Sequence, residues 1–317
     1  MKNLLKILPL ILICVACGSD SDDDMLVNNA HTIGFDAEMA TTRAIADADA
    51  LEDKGFSVWG GFAGQTVFDG RKVTFQNGAW GYENPEVWTF NRYNFHAIYP
   101  SYDTGEYTLS ATNNFQQIDI NNFDANKEID LLHASATGID GSTVPVVNLL
   151  FKHTLSNISI KLNKHSDNAD DNITVKQVYL LGLNTIGSYQ WKKEGETVTS
   201  AWTVDYSQTP VNKGSTFNTE LNTTYKDFLT DVLVIPQTVD PDNHPVVLIV
   251  VYDFTINSSE TIKDNILYAN LPASPAWEIG KKITYQATIN AKKDIVFKTP
   301  TVEDWGTQQV GGTIIIK

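Results

Sequence analysis

Cysteine is almost absent from this chain. Only Cys14 and Cys17 occur, and both lie within the first 17 of 317 residues. Everything after them can form no disulfide, hold no cysteine-ligated zinc and perform no thiol chemistry. Arginine is nearly as scarce: Arg43, Arg71 and Arg92 are the whole set. Basic residues number 23 against 38 acidic ones, a formal charge of −15, and such a surface disfavours nucleic acid and anionic lipid headgroups. Long apolar runs are missing too. A spanning helix needs roughly 20 apolar residues. The stretch from Leu4 to Val15 is shorter and holds Pro9, and the run from Val246 to Tyr252 has only seven.

Chemical motifs are equally sparse. There is no Gly-rich phosphate loop and no nucleophile elbow. His31, His96, His133, His153, His165 and His244 show no metal-ligand spacing with one another or with a glutamate. His153 lies on an apolar face, which suits a core histidine better than a ligand or base. The segment Asp167-Asn168-Ala169-Asp170-Asp171-Asn172 has the composition of a calcium loop. It lacks the glycine at position six and the glutamate at position twelve, and reads as a polar hairpin turn. No carboxylate pair is singled out for glycoside hydrolysis. The residues indicate no catalytic group, no cofactor and no metal, so the chain reads as non-enzymatic.

What is present begins at the N-terminus. Lys2 and Lys6 precede an apolar stretch that ends in Val15-Ala16, and the chain then turns abruptly polar through Gly18-Ser19-Asp20-Ser21-Asp22-Asp23-Asp24. This is the pattern of a secretory signal peptide. The segment around Cys17 resembles a bacterial lipobox, with Cys14 where leucine is usual. That resemblance implies lipidation of Cys17 and removal of residues 1–16. Removal takes away two lysines and no acid, changing the formal charge from −15 to −17. Several acyl chains on Cys17 would hold the protein to outer-membrane lipid, since one chain binds only marginally. The acidic run is a self-repelling tether. It resembles the export signal of surface lipoproteins in Bacteroidota, implying display outside the outer membrane.

The remaining chain is written in strands. Apolar residues alternate at Phe56–Val58, Tyr93–Tyr99, Ile158–Leu162 and Ile283–Ile289, the period of half-buried strands. The continuous run Val246–Tyr252 predicts a strand buried on both faces. Leu233-Val234-Ile235 reads as its hairpin partner across a long loop from Pro236 to Pro245. Ala44 to Lys54, stopped by Gly55, reads as a short helix or as an exposed linker. Between Leu155 and Ile158 the apolar phase changes from odd to even, which predicts a bulge or tight turn near Ser156-Asn157. The seven tryptophans (Trp59, Trp80, Trp88, Trp191, Trp202, Trp277 and Trp305) read as core anchors. Gly138–Ser142 is turn-rich, and a boundary is expected at 147/148. Residues 1–16 are then a signal peptide and 17–43 a tether with a separable first strand. Residues 44–147 and 148–317 are two tandem β-sandwiches in an all-β fold.

Several short segments, in order, resemble the fimbrillin family of Bacteroidota, the subunits of donor-strand-assembled pili. They are Ile33-Gly34-Phe35-Asp36-Ala37; Thr42-Arg43-Ala44; Phe95-His96-Ala97-Ile98-Tyr99-Pro100; Asp130-Leu131-Leu132; Phe151-Lys152-His153-Thr154-Leu155-Ser156-Asn157-Ile158; Ile235-Pro236-Gln237; and Trp305. The resemblance implies two sandwiches of transthyretin-like, Greek-key topology. It implies cleavage by an Arg-specific protease after Arg43, leaving Ala44 as the new terminus. A first strand carrying Ile33, Phe35 and Ala37 would leave with the cut segment. Other pilus subunits, of the same or another kind, would be the partners. Arg43 lies between a strand and a polar stretch, the setting in which proteolysis concentrates; otherwise it is a surface charge. Ile314, Ile315 and Ile316, after Gly311-Gly312, read equally as a donor strand or as a fixed last strand. A surface glycan-binding lipoprotein, using exposed tryptophans and staying monomeric, is the alternative. So is a subunit that keeps its lipid as a pilus anchor or tip.

Overall fold

The computed structural model describes residues 31–39, 48–101, 107–168, 170–256, 259–291 and 293–305. Cys17, Arg43, Ala44, Ile314, Ile315 and Ile316 lie outside the described residues. Within them the chain is all-β and sandwich-built, as its alternating apolar pattern predicts. Among the described residues no helix is long and apolar enough to cross a membrane.

The first sheet has seven strands. In spatial order they are β1 (Gly34–Met39), β9 (Val146–His153), β8 (Leu132–Asp140), β5 (Arg92–Tyr99), β2 (Phe56–Phe62), β3 (Gln65–Gln76) and β4 (Ala79–Gly81). The sheet curls until β1 approaches β4, and its inner face closes a core around Phe35, Phe56, Phe68, Phe95 and Phe151. In β9 the inward Val147, Leu149 and Phe151 alternate strictly with exposed residues. The short helix α1 (Ala48–Lys54) buries Leu51 in the same core and ends where sequence predicts, at Gly55. Gly55 has a φ of +67°, and a Cβ there would lie 2.3 Å from the Val73 carbonyl oxygen, so only glycine fits.

A second sheet lies on the outer face of the first, in the order β13 (Thr197–Val204), β12 (Ile186–Glu194), β7 (Gln117–Asp124) and β6 (Thr108–Thr112). The two share a core of Trp59, Ile98, Ile120, Tyr189 and Trp191, closed at the bottom by Leu155, Ile235 and Trp305. This sheet takes strands from both sides of residue 147. The boundary expected at 147/148 falls inside β9, between the paired positions of Phe35 with Val147 and Asp36 with Asn148. The Gly138–Ser142 punctuation is real, but it makes only a tight 3-10 connection from β8 into β9.

The last two sheets face each other as a sandwich. One orders β15 (Lys226–Val234), β10 (Ser156–Lys164), β18 (Lys281–Asn290) and β19 (Asp294–Phe297), with β20 (Thr301–Asp304) also on β18. The other orders β14 (Val211–Glu220), β11 (Asn172–Leu183), β16 (Val247–Ile256) and β17 (Glu260–Asn270). Ile160, Val178, Leu248, Val250, Trp277 and Tyr285 fill the space between them.

Four local expectations are corrected here. In β16, Leu248, Val250 and Tyr252 are buried but Val247, Ile249 and Val251 are only half-buried, on an outer face that also carries exposed Ile266 and Tyr268. Leu233 and Val234 are not its hairpin partners: β15 and β16 lie in opposite sheets, and the proline-rich segment carries the chain across. Asp240 folds that segment by accepting hydrogen bonds from the Asp242 and Asn243 amides at 3.0 and 3.1 Å. The polar segment 167–172 likewise joins facing sheets, from β10 to β11, instead of turning a hairpin. The phase change read near Ser156 arises one step earlier, at Thr154-Leu155, where the chain leaves the first sheet for the third. A bulge follows at Ile158/Ile160.

The tryptophans anchor the cores, as their size predicts. Trp59, Trp88, Trp191, Trp277 and Trp305 are buried, and Trp80 and Trp202 pack half-buried against the cores. His153 is a core histidine: its Nδ1 pairs with the Asp130 carboxylate at 3.0 Å and its ring stacks on Trp305 at 4.0 Å.

Candidate functional site

The sequence places Ile33, Phe35 and Ala37 on one face of a strand, and the structure brings that face into the first core. Ile33 is 1% exposed and Phe35 6%, while Ala37 and Met39 pack half-buried behind them. Asp36 and Glu38 point to solvent. Phe35 carries the seat. Its ring meets Phe68 edge-on at 5.3 Å, Phe95 at 5.7 Å and Tyr82 at 5.8 Å.

Among the described residues the strand is nevertheless laddered on one side only. β1 stands at the edge of the sheet and pairs in parallel with β9, from Gly34 opposite Val146 to Met39 opposite Phe151. No other strand pairs with Gly34–Met39 among the described residues. The Ala37 amide takes the Asp36 side chain at 2.9 Å in place of a neighbouring strand. A groove therefore underlies β1. Its wall is the β9 backbone, and its floor is Phe68, Tyr82, Phe95 and Phe151.

On the opposite edge the chain ahead of β1 is held by a loop. Thr32 bridges Val87 in antiparallel fashion. The Ile33 amide donates to the Glu86 carbonyl at 2.8 Å, and the Trp88 amide donates to the His31 carbonyl at 2.9 Å. The Tyr82 hydroxyl donates to the Ile33 carbonyl at 2.7 Å and accepts from the Glu86 amide at 3.2 Å. Burial holds the Tyr82 phenol above its ordinary pKa, so it stays a donor. Arg71 donates to the Asn84 carbonyl at 2.7 Å and to the Glu86 carboxylate at 3.0 Å, with its guanidinium over the Phe68 and Tyr82 rings. Sequence reasoning missed Tyr82 and Glu86. The loop has no periodicity to reveal them, and only the curl of the sheet brings it to residues 31–33.

The other expected site residues divide. Arg43 and Ala44 fall in the segment between β1 and α1 that lies outside the described residues. Arg71 and Arg92 sit in β3 and β5 with carbonyl partners, Arg92 reaching Gly138 at 3.3 Å. Trp305, the last described residue, is 3% exposed, and its amide donates to the Gly280 carbonyl at 2.8 Å. β20 just before it is exposed throughout and, among the described residues, pairs only with β18. No three His, Cys, Asp or Glu side chains among the described residues are grouped so as to hold a metal ion.

A fimbrial protein from Bacteroides vulgatus has a crystal structure similar to this one, with a TM-score of 0.60 at 19% identity. The match covers 87% of this chain and 99% of that one. A candidate cell adhesion protein from Bacteroides uniformis matches with a TM-score of 0.50 at 19% identity, over 86% and 99% of the two chains. At these identities the likeness is one of fold. No curated protein matches the chain. The fimbrillin-like family, however, matches residues 42–305, from just before Arg43 to Trp305 and through every sheet described above. The chain belongs to the fimbrillin-like family.

Proposed function

We propose that this chain is a structural subunit of a surface fimbria serving adhesion. In this reading residues 1–16 are a signal peptide, and Cys17 carries acyl chains that hold the precursor to outer-membrane lipid. An Arg-specific protease cuts between Arg43 and Ala44. β1 leaves with residues 17–43, and a strand from another subunit takes its place.

One observation carries the reading: β1 is a deeply seated strand with a single strand partner among the described residues. Removing it would open a groove with unpaired β9 amides and carbonyls and an apolar floor, which is an unstable edge. A second strand fills such a groove by backbone pairing, with alternate side chains in its pockets. Each large side chain so buried contributes about 1.5–3 kcal/mol, and each ladder hydrogen bond about 1 kcal/mol. The C-terminal Ile314 and Ile316 would share one face of an extended strand and suit the places of Phe35 and Ala37, with Ile315 facing out. A contact between a groove and a different segment of the next copy does not close on itself, so it propagates as a fibre. The glycan-binding alternative needs exposed tryptophans on one face, and five of the seven are buried.

The test is limited digestion of the protein starting at Gly18 with an Arg-specific protease, alongside Arg43→Ala. A new terminus at Ala44 and an SDS-resistant ladder, both lost in the variant, are the expected results. Resistance of the wild-type protein at Arg43 would move the reading to a lipid-retaining anchor.

A further inference from the structure

Release of β1 must undo two separate attachments. Residues 34–39 are laddered to β9 on one edge, and residues 31–33 are held by the loop after β4 on the other. We propose that the segment Tyr82–Trp88 is a latch on the leading end of the first strand, with Tyr82 and Glu86 as its contact points and Arg71 as the residue that positions them. This deepens the strand-exchange reading and rests on it.

The latch grips backbone. Both bonds to Ile33 are to its amide and its carbonyl, and the bond to His31 is to its carbonyl. Any strand seated in the same register presents the same groups. The latch is thus indifferent to sequence, and would close on an incoming strand as it closes on β1. It is also keyed to the groove. Arg71 lies over Phe68 and Tyr82, two of the three rings that Phe35 touches, so loop position and groove floor share a contact. The part that opens is the middle, since Tyr82 packs on Phe68 and Trp88 is buried against Tyr93 and Phe95 at the two ends. The Arg71 and Glu86 side chains are 29% and 37% exposed, and the loop carries no regular structure between β4 and β5. Local openings of this kind occur without global unfolding. The order of events follows: the latch opens first, residues 31–33 come free, and β1 then peels from β9 starting at Gly34.

Hydrogen exchange on the intact, uncut chain tests this directly, read at the amides of Ile33 and Trp88 and at those of β16 as reference. Tyr82→Phe keeps the ring on Phe35 and Phe68 and removes two hydrogen bonds, one within the loop from the Glu86 amide and one that ties the strand at the Ile33 carbonyl. Exchange at Ile33 should rise about fivefold, the factor one net hydrogen bond commands, with β16 unchanged. Arg71→Gln should raise exchange at both Ile33 and Trp88, because the whole loop loses its tie. Unchanged Ile33 exchange in both variants would overturn the latch. So would a rise shared equally by β16, which would report a loss of global stability. The assay involves no cleavage. A protein that fails to form ladders but shows the local rise refutes strand exchange and leaves the latch standing.

Discussion

His96 and His133 meet between the first and second sheets, and their ring nitrogens form a one-way chain. His96 Nε2 lies 2.7 Å from the Phe115 carbonyl, which can only accept, so Nε2 carries the proton. His96 Nδ1 then accepts from His133 Nε2 at 3.0 Å, and His133 Nδ1 accepts from the Tyr189 hydroxyl at 3.2 Å. Both rings must be neutral, because a proton added to either one sets two N–H groups, or an N–H and a hydroxyl donor, against each other. Burial pushes His96 down to about 4. Burial also pushes His133 well below its ordinary value, helped by His96 and by Lys152 nearby. A folded pKa below the unfolded one means that stability is complete above the unfolded value and is lost as pH falls through the folded one. Between pH 6.5 and 4 the His96 contribution should drop by about 3 kcal/mol, with His133 acting in the same direction. Urea midpoints at pH 7.5, 5.5 and 4.5 should therefore fall steeply, and equal midpoints would contradict the account. In sequence His96 was legible as part of the Tyr93–Tyr99 strand, but not as the partner of His133. The chain of bonds joins β5, β8, a turn and β12, and no local pattern encodes it.

β1 is the element in which local and global cues agree. Ile33, Phe35 and Ala37 fall on one face of the strand by its period of two, and that face is the buried one. Its partner was not legible. A parallel neighbour more than a hundred residues away, β9, leaves no trace in the spacing of either segment. β16 shows the opposite error. Its seven apolar residues suggest two covered faces, but apolar side chains also tolerate a half-exposed sheet surface, and the run cannot tell these apart. The C-terminal element has its own expected outcome. A chain lacking residues 311–317 should fold and be cut after Arg43, yet form no ladder with itself. Added to intact subunits, it should cap growing ladders, since it keeps a groove but offers no strand. Ladder formation at the wild-type rate would show that the donor lies elsewhere.

Across the whole molecule, the second sheet decides how the chain can be divided. β12 and β13 come from beyond residue 183 and complete a sheet begun by β6 and β7, and β9 completes the first sheet from across 147/148. Residues 1–147 expressed alone would expose Ile98, Ile118 and Ile120 and lose most of β9. They should show no cooperative unfolding transition by circular dichroism, whereas the full chain should unfold sharply. The sequence by itself determined the all-β class, the strand phases, the turns at Gly55 and Asp240, and the apolar first strand. All of these follow from a residue and its near neighbours, through side-chain period and backbone freedom. Only the tertiary structure decided which strands pair, that the second sheet spans both halves, and that a loop at residues 82–88 holds the chain just ahead of β1. Pairing between distant strands depends on shape and register between whole surfaces, which chain-local chemistry does not specify.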